Sequence, residues 1–482
     1  MTAAGPRALV APAPRPWLLS WPGLVLAIAL GLAWRGSGGS LGALLSADAR
    51  AAAVEFAGGF WPPAHDRALL LGLFRPLAET ASIAALGMGL ALSLGAPLAL
   101  LATSPEVLGA CGARPHAGRR ALHAAARGTL AVMRSIPEIV WALLFVRAVG
   151  LGPVAGVLAI GIAYGGVVGK VFADLLEGVP RRAAEALGAS GARPWAAFSL
   201  AILPPARPLL VSYALYRLDC ALRASAILGL VGAGGVGQQV ELSLKMLRYD
   251  EVATYVIALF LLVGAVDLAS QLLRRRVGAR SSLFPGSRRA LSLALAGGAA
   301  LLAVALAAAR FLDLAPWTLL SRRSIAGMAS FASALWPPDL GERLLRHVMT
   351  GAAETLAISV LGTAIAAVLG IALAYLAARP LHRVAGEADP AWRRIASAAL
   401  AILARSIMNL GRTLPELLWA LAFVLVVGLG PFAGALALGV HTTGVLGRLY
   451  FEVLEEVPAE PLAALRAAGA SRLGTALHAV LP

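Results

Sequence analysis

The chain has 482 residues, 59% of them hydrophobic and only 14% charged, with a mean hydropathy of +0.80. A water-soluble protein cannot hide that much apolar surface, because more than half of its exposed area is apolar already, so the composition implies a polytopic α-helical membrane protein. The net charge of +16 does not point to nucleic acid, since the arginines cluster between apolar runs in the way short membrane loops do.

About 20 apolar residues cross about 30 Å of hydrocarbon as a helix. The first such run, at 17–34, follows Arg7 and Arg15 and has the look of a signal peptide. Trp34-Arg35 stands where small cleavage-site residues belong, so an uncleaved first helix is expected. An outer segment then ends in Trp61-Pro62-Pro63, and a second span is expected at 78–102. A basic loop with Arg114, Arg119, Arg120 and Arg127 leads to a third span at 129–149. A GLGP turn reverses the chain into a fourth at 154–176. A polar segment at 177–200 and two more spans at 205–231 and 250–273 complete a unit of six. The basic segments fall on one side in this count, which expects both ends of the unit in the cytoplasm.

The unit is then written again. RSIPEIVWALLFVRAVGLGPVAG at 134–156 returns as RTLPELLWALAFVLVVGLGPFAG at 412–434, identical at 15 of 23 positions. Trp336-Pro337-Pro338 and Glu354-Thr355 repeat Trp61-Pro62-Pro63 and Glu79-Thr80 at an offset of 275, which becomes 278 by Pro415. The three extra residues fall in the basic loop, where insertions are tolerated. The first span of this copy is expected at 290–309. Copy one is expected at 1–284, with its core at 76–277, and copy two at 285–482. Leu203-Pro204 corresponds to Leu481-Pro482, so four spans stand in copy two against six in copy one. The duplication leads us to expect a truncated second copy.

Three groups of residues invite a functional reading. Arg134 and Glu138, and likewise Arg412 and Glu416, stand four apart, which one helical turn places on one face. With Pro137, Trp141, Pro415 and Trp419 they form either an ion pair anchoring span three at the cytoplasmic interface or a gate latch. Substrate contact is a third option, opposed by the glutamate's charge. The glycines of GAGGVG (Gly232, Gly234, Gly235, Gly237) lack the strand and acidic residue of a dinucleotide loop, so they are read as a place where backbone leaves helical geometry. Cys111 and Cys220 stand alone with no His companion. No metal, cofactor or catalytic residue is expected, and there is no G-x-x-x-x-G-K-[ST].

The third group is EALGASGARPWAAFSLAILP at 185–204, which resembles the EAA loop of ABC importer permeases at Glu185, Ala186, Gly191, Leu203 and Pro204. The second copy keeps Gly469, Leu481 and Pro482 but has Ala463 at its acidic position. The R-[ST]-[IL]-P-E element, the GLGP turn, SAILGLVGAGGVGQQV and YDEVATYVIALFLLVGAVDLASQLLRRR resemble, more narrowly, the PhnE-like permeases of phosphonate importers. The resemblance implies a MetI-like all-α fold and a coupling helix docking on a separate cytoplasmic ATPase dimer. It also implies a periplasmic binding protein, an inner-membrane location and transport of phosphonate, phosphite or phosphate. Two alternatives stay open: an ion-gradient-driven transporter with internal repeats, and an importer permease for another solute such as an amino acid or betaine. The first should carry ionisable residues deep in several spans, where this reading finds only Asp267.

Overall fold

The computed structural model describes residues 21–279, 303–313, 321–378 and 390–456, apart from 39, 41, 43–45, 113–116, 335–336 and 415, together with Ala468 and Gly469. All regular structure among them is helical. Copy one holds α1 (Trp21–Gly36), α2 (Phe74–Ala102), α3 (Pro105–Ala110), α4 (Ala117–Ser135), α5 (Glu138–Val149), α6 (Pro153–Glu177), α7 (Arg182–Ala189), α8 (Leu203–Leu228), α9 (Gly235–Lys245) and α10 (Tyr249–Ala279). Copy two holds α11 (Arg322–Ala334), α12 (Glu342–Ala377), α13 (Ala391–Thr413), α14 (Glu416–Val427) and α15 (Pro431–Glu456).

Five stretches are long and apolar enough to cross a membrane, namely Arg67–Ala102, Pro153–Glu177, Pro194–Ala233, Tyr249–Arg274 and Glu342–Ala377. The bent pairs α4–α5 and α13–α14 raise this to seven if each is one span. α1 is apolar but shorter. α15 has the length, yet His441, Thr442 and Thr443 dilute its apolar middle. Most of the span expected at 290–309 lies outside the described residues.

The chain separates into two compact units, residues 57–338 and residues 1–56 with 339–482. They do not follow the sequence copies, because each unit takes a leading helix from the other copy. In the second unit α1 packs on α12, with Trp34 edge-on to Phe432 at 5.8 Å and Ala33 buried against Ala357 and Leu361. In the first, α11 packs on α5, where a Cβ added at Gly327 would stand 3.2 Å from the Ala148 carbonyl.

Each unit is built round one helix pair, α2 with α6 or α12 with α15. In lipid no hydrophobic force drives helices together, so small residues that let backbones touch do the work. A Cβ at Gly95 would lie 2.6 Å from the Gly165 carbonyl oxygen, and one at its repeat, Gly370, 3.1 Å from the Gly447 nitrogen. α4, α5 and α8 all pack on α6, and α13 and α14 repeat the first two on α15.

Two expectations are corrected here. The basic loop is mostly helix, since α4 starts at Ala117 and carries Arg119, Arg120 and Arg127. Its Ala- and Arg-rich sequence contains no proline and favours helix despite Gly118 and Gly128. The third span is not one helix either. Proline disfavours helical backbone in the residue before it, so α4 stops at Ser135, Pro137 caps α5 in extended geometry, and the two axes meet at 85°. Copy two bends by 96° at the same place.

Candidate functional site

The break changes what Arg134 and Glu138 can do. They sit on different helices, and among the described residues they form no ion pair with each other. Instead, Trp141 reaches back over the bend and its Nε1 donates to the Met133 carbonyl at 3.4 Å. Trp419 repeats this brace to Gly411 at 3.3 Å. In copy two Arg412 donates to Asn409 at 3.3 Å, Glu416 is exposed, and Pro415 lies outside the described residues. The bend packs against the middle of α6. A Cβ at Gly166, in the middle third of α6, would stand 2.7 Å from the Arg134 backbone nitrogen, and one at Gly444 would stand next to that of Arg412.

Opposite this bend α8 carries charges that the sequence reading passed over. Asp219 is buried and accepts from Arg223 Nη2 at 3.1 Å, one turn on. Arg223 also donates to the Cys220 sulfur at 3.5 Å, so Cys220 is not simply an apolar filler. The Arg217 guanidinium lies 4.4 Å over the Tyr164 ring, and the Tyr164 hydroxyl donates to the Cys220 carbonyl at 3.4 Å. Glu138, Arg217 and Arg223 all lie within electrostatic reach of that hydroxyl. The spans are therefore not free of carboxylates. The signal was available as YRLDCALR at 216–223, whose charges a window average dilutes.

The glycine stretch behaves as expected. α8 gives way to a kink with Gly232, Gly234 and Gly235 at φ of +94°, +91° and +74°. α9 then starts with its free amides aimed at α2: Gly235 donates to Glu79 Oε2 at 3.1 Å and Val236 to Thr80 Oγ1 at 2.8 Å. A carboxylate at a helix N-terminus satisfies both the amides and the dipole. Glu79-Thr80 marked only the repeat in the sequence; here the pair locks the glycine loop. Their repeats Glu354 and Thr355 are exposed, with the Thr355 hydroxyl turned back to Gly351.

The segment after α6 forms a compact module. α7 leaves Glu185 and Ala186 exposed, while Ala184, Phe198 and Ile202 are buried with Val107 and Cys111 of the α3 region. Burial pushes the Cys111 thiol above its ordinary range. Leu203 and Pro204 are half-buried where the π-helical turn Phe198–Ile202 passes into α8. Gly191 turns the chain at φ +83°, and Gly469 repeats the turn at +84°. Ala463, Leu481 and Pro482 lie outside the described residues. Among the described residues no group of three or more metal-ligating side chains occurs.

A clamp holds this module to the spans, and both copies have it. Arg127 donates to the Ala102 carbonyl at 3.1 Å and to Glu177 at 2.7 Å, which ties the ends of α2 and α6 to α4. Arg405 makes the same two contacts, to Ala377 at 2.9 Å and Glu455 at 3.2 Å.

Gly188 and Gly191 separate seat from turn. A Cβ at Gly188 would stand 2.9 Å from the Ala110 carbonyl, whereas one at Gly191 meets nothing within 4 Å. Gly188→Val is expected to unseat α7 and to cut the transport that the permease resemblance implies at least tenfold. Gly191→Ala costs about 1–2 kcal/mol of left-handed backbone strain and should leave most transport. Initial uptake rates per unit of membrane-inserted protein check both.

The binding-protein-dependent transport system inner membrane component family matches residues 107–282 and 391–482. The phosphate-import permease protein PhnE of Mycolicibacterium smegmatis is 32% identical over 424 residues, covering 87% of this chain and 74% of its own length. The phosphite transport system permease protein PtxC of Stutzerimonas stutzeri is 36% identical over 201 residues, covering 42% of this chain and 70% of its own. A methionine ABC transporter structure, MetNI in an inward-facing conformation, aligns over 44% of this chain and 99% of its own at 23% identity and a TM-score of 0.39.

Proposed function

The chain belongs to the binding-protein-dependent transport system inner membrane component family, and from that premise we propose that this ABC importer permease carries a tetrahedral phosphorus oxyanion (phosphonate, phosphite or phosphate) into the cell. The observation that carries this reading is the likeness to a phosphate-import permease over 87% of the chain, duplication included. The likeness to a phosphite permease supports the same anion class.

In this reading the energy comes from a separate cytoplasmic ATP-binding dimer and the substrate from a periplasmic binding protein, with both ends of copy one in the cytoplasm. The exposed face of α7 around Glu185 and Ala186 receives one ATP-binding subunit, and the turn at Gly469 belongs to the second docking segment. Movement of α7 passes through its buried seat on α3 and through the Arg127–Glu177 clamp into α2, α4 and α6. The bends braced by Trp141 and Trp419, one in each unit, are then gate elements of the pathway.

The test is uptake by cells producing the whole transporter, each supplied with labelled phosphate, phosphite, methylphosphonate, methionine or betaine. Uptake of at least one phosphorus oxyanion, abolished when the ATP-binding subunit is inactivated, is expected. Uptake of methionine or betaine alone, or uptake indifferent to the ATPase and sensitive to an ion-gradient uncoupler, would overturn the reading.

A further inference from the structure

The charges on α8 do not all have a reason to be there. A charged side chain in mid-span costs on the order of 3 kcal/mol on insertion scales, and α8 carries Arg217, Asp219 and Arg223 within seven positions. Asp219 and Arg223 offset each other as an ion pair at 3.1 Å. Arg217 has no such offset. Among the described residues it makes no ion pair, and its Nε is buried without a hydrogen-bond partner. Stacking on Tyr164 recovers about 2 kcal/mol, and the Cys220 side chain takes one hydrogen bond from the guanidinium, which leaves the buried Nε–H without an acceptor. The guanidinium N–H donors form a rigid fork whose spacing fits two oxygens of a tetrahedral oxyanion.

The location agrees. Arg217 is near the middle of α8 and Tyr164 near the middle of α6, and beside them the proline bend brings Glu138 within reach of the same hydroxyl. Among the described residues, the charged groups gathered about this point are Arg217 and Arg223 with Asp219 and Glu138. Their charges balance, so an anion is attracted by Arg217, which makes no ion pair among the described residues, but is not trapped in a basic well. A conducting site needs that balance of entry and release. Mid-span depth also separates it from a lipid phosphate, which stays at the membrane surface.

We propose that Arg217, stacked on Tyr164 beside the proline bend, is the anion-contacting residue of the pathway in copy one, binding the tetrahedral phosphorus oxyanion as it passes. This rests on the anion-importer reading, but it can be tested apart from it because Cys220 lies within the cluster. In the full chain purified in detergent, the rate at which a methanethiosulfonate reagent modifies Cys220, followed by peptide mass, should fall at least threefold with inorganic phosphate. Chloride at matched ionic strength should leave the rate unchanged. Arg217→Gln should remove the protection, and Arg217→Lys, which keeps the charge but loses the fork, should keep part of it. Addition of an anionic phospholipid without free phosphate should give none; protection by lipid alone would assign the site to headgroups and overturn the proposal. No protection in the wild-type chain, or equal protection in Arg217→Gln, would overturn it as well. If Arg217→Gln fails to insert, full protection retained by Arg217→Lys with a Tyr164→Leu partner change decides against it. Uptake of no phosphorus oxyanion by the whole transporter would instead sink the function reading and leave the protection result standing.

Discussion

Replacing Gly237 with alanine is expected to prevent copy one from reaching its folded form. The added Cβ would stand 1.8 Å from the Ala226 carbonyl oxygen and 3.0 Å from the Gly229 Cα, both backbone atoms of the preceding helix and kink. Neither can move alone. Ala226 belongs to α8, and Gly229 opens the kink that Gly235 and Val236 anchor on Glu79 and Thr80. Overpacking against fixed backbone exceeds the usual 1–3 kcal/mol of a crowded core side chain, so a loss of about 4 kcal/mol or more is expected. Membrane-inserted protein surviving detergent extraction as a monodisperse peak measures it. The control is Gly264→Ala in α10, where a Cβ meets nothing within 4 Å and recovery should be unchanged. Normal recovery of Gly237→Ala would mean that the close turn at 229–237 is wrong.

That glycine is legible in the sequence as a structural residue, whereas its partners are not. A sequence shows that GAGGVG cannot be a nucleotide loop without its strand, but it cannot show that Glu79 and Thr80, 156 residues earlier, supply the caps. The duplication was readable outright, because identical residues at a fixed offset need no folding argument. Its structural echoes, Trp141 with Trp419, Arg127 with Arg405 and Gly191 with Gly469, fall at the same offset of 278. What misled was local geometry. Spacing four apart implies one face only if the helix continues, and the proline between Arg134 and Glu138 stops it. The rule for the residue before proline was available and outweighed the helical-turn rule. The exchange of leading segments between units was invisible for a different reason: neither the uniformly apolar α1 nor the apolar face of α11 carries an address for the partner it covers.

The clamp yields the second large effect, one that separates the two copies. Glu177 accepts from both the Arg127 guanidinium at 2.7 Å and the Ser104 amide at 2.8 Å, so it joins three helix ends through one carboxylate. Hydrogen bonds to charged groups contribute about 1.5–3 kcal/mol each, discounted here because the Glu177 side chain is one-quarter exposed. Glu177→Ala leaves Arg127 with the Ala102 carbonyl as its remaining partner, and a drop of about 2 kcal/mol is expected. Glu455 is 41% exposed and accepts from Arg405 at 3.2 Å, so Glu455→Ala should cost about half as much, roughly 1 kcal/mol. Thermal unfolding in detergent ranks the two. Transport should fall further than stability does, at least tenfold for Glu177→Ala, because the carboxylate sits at the junction between α6 and the segment leading to α7. Basal ATP hydrolysis by the assembled transporter should persist while uptake is lost. Uptake and stability falling in proportion would make the clamp a fastener only, with force reaching the spans through the α3–α7 seat alone.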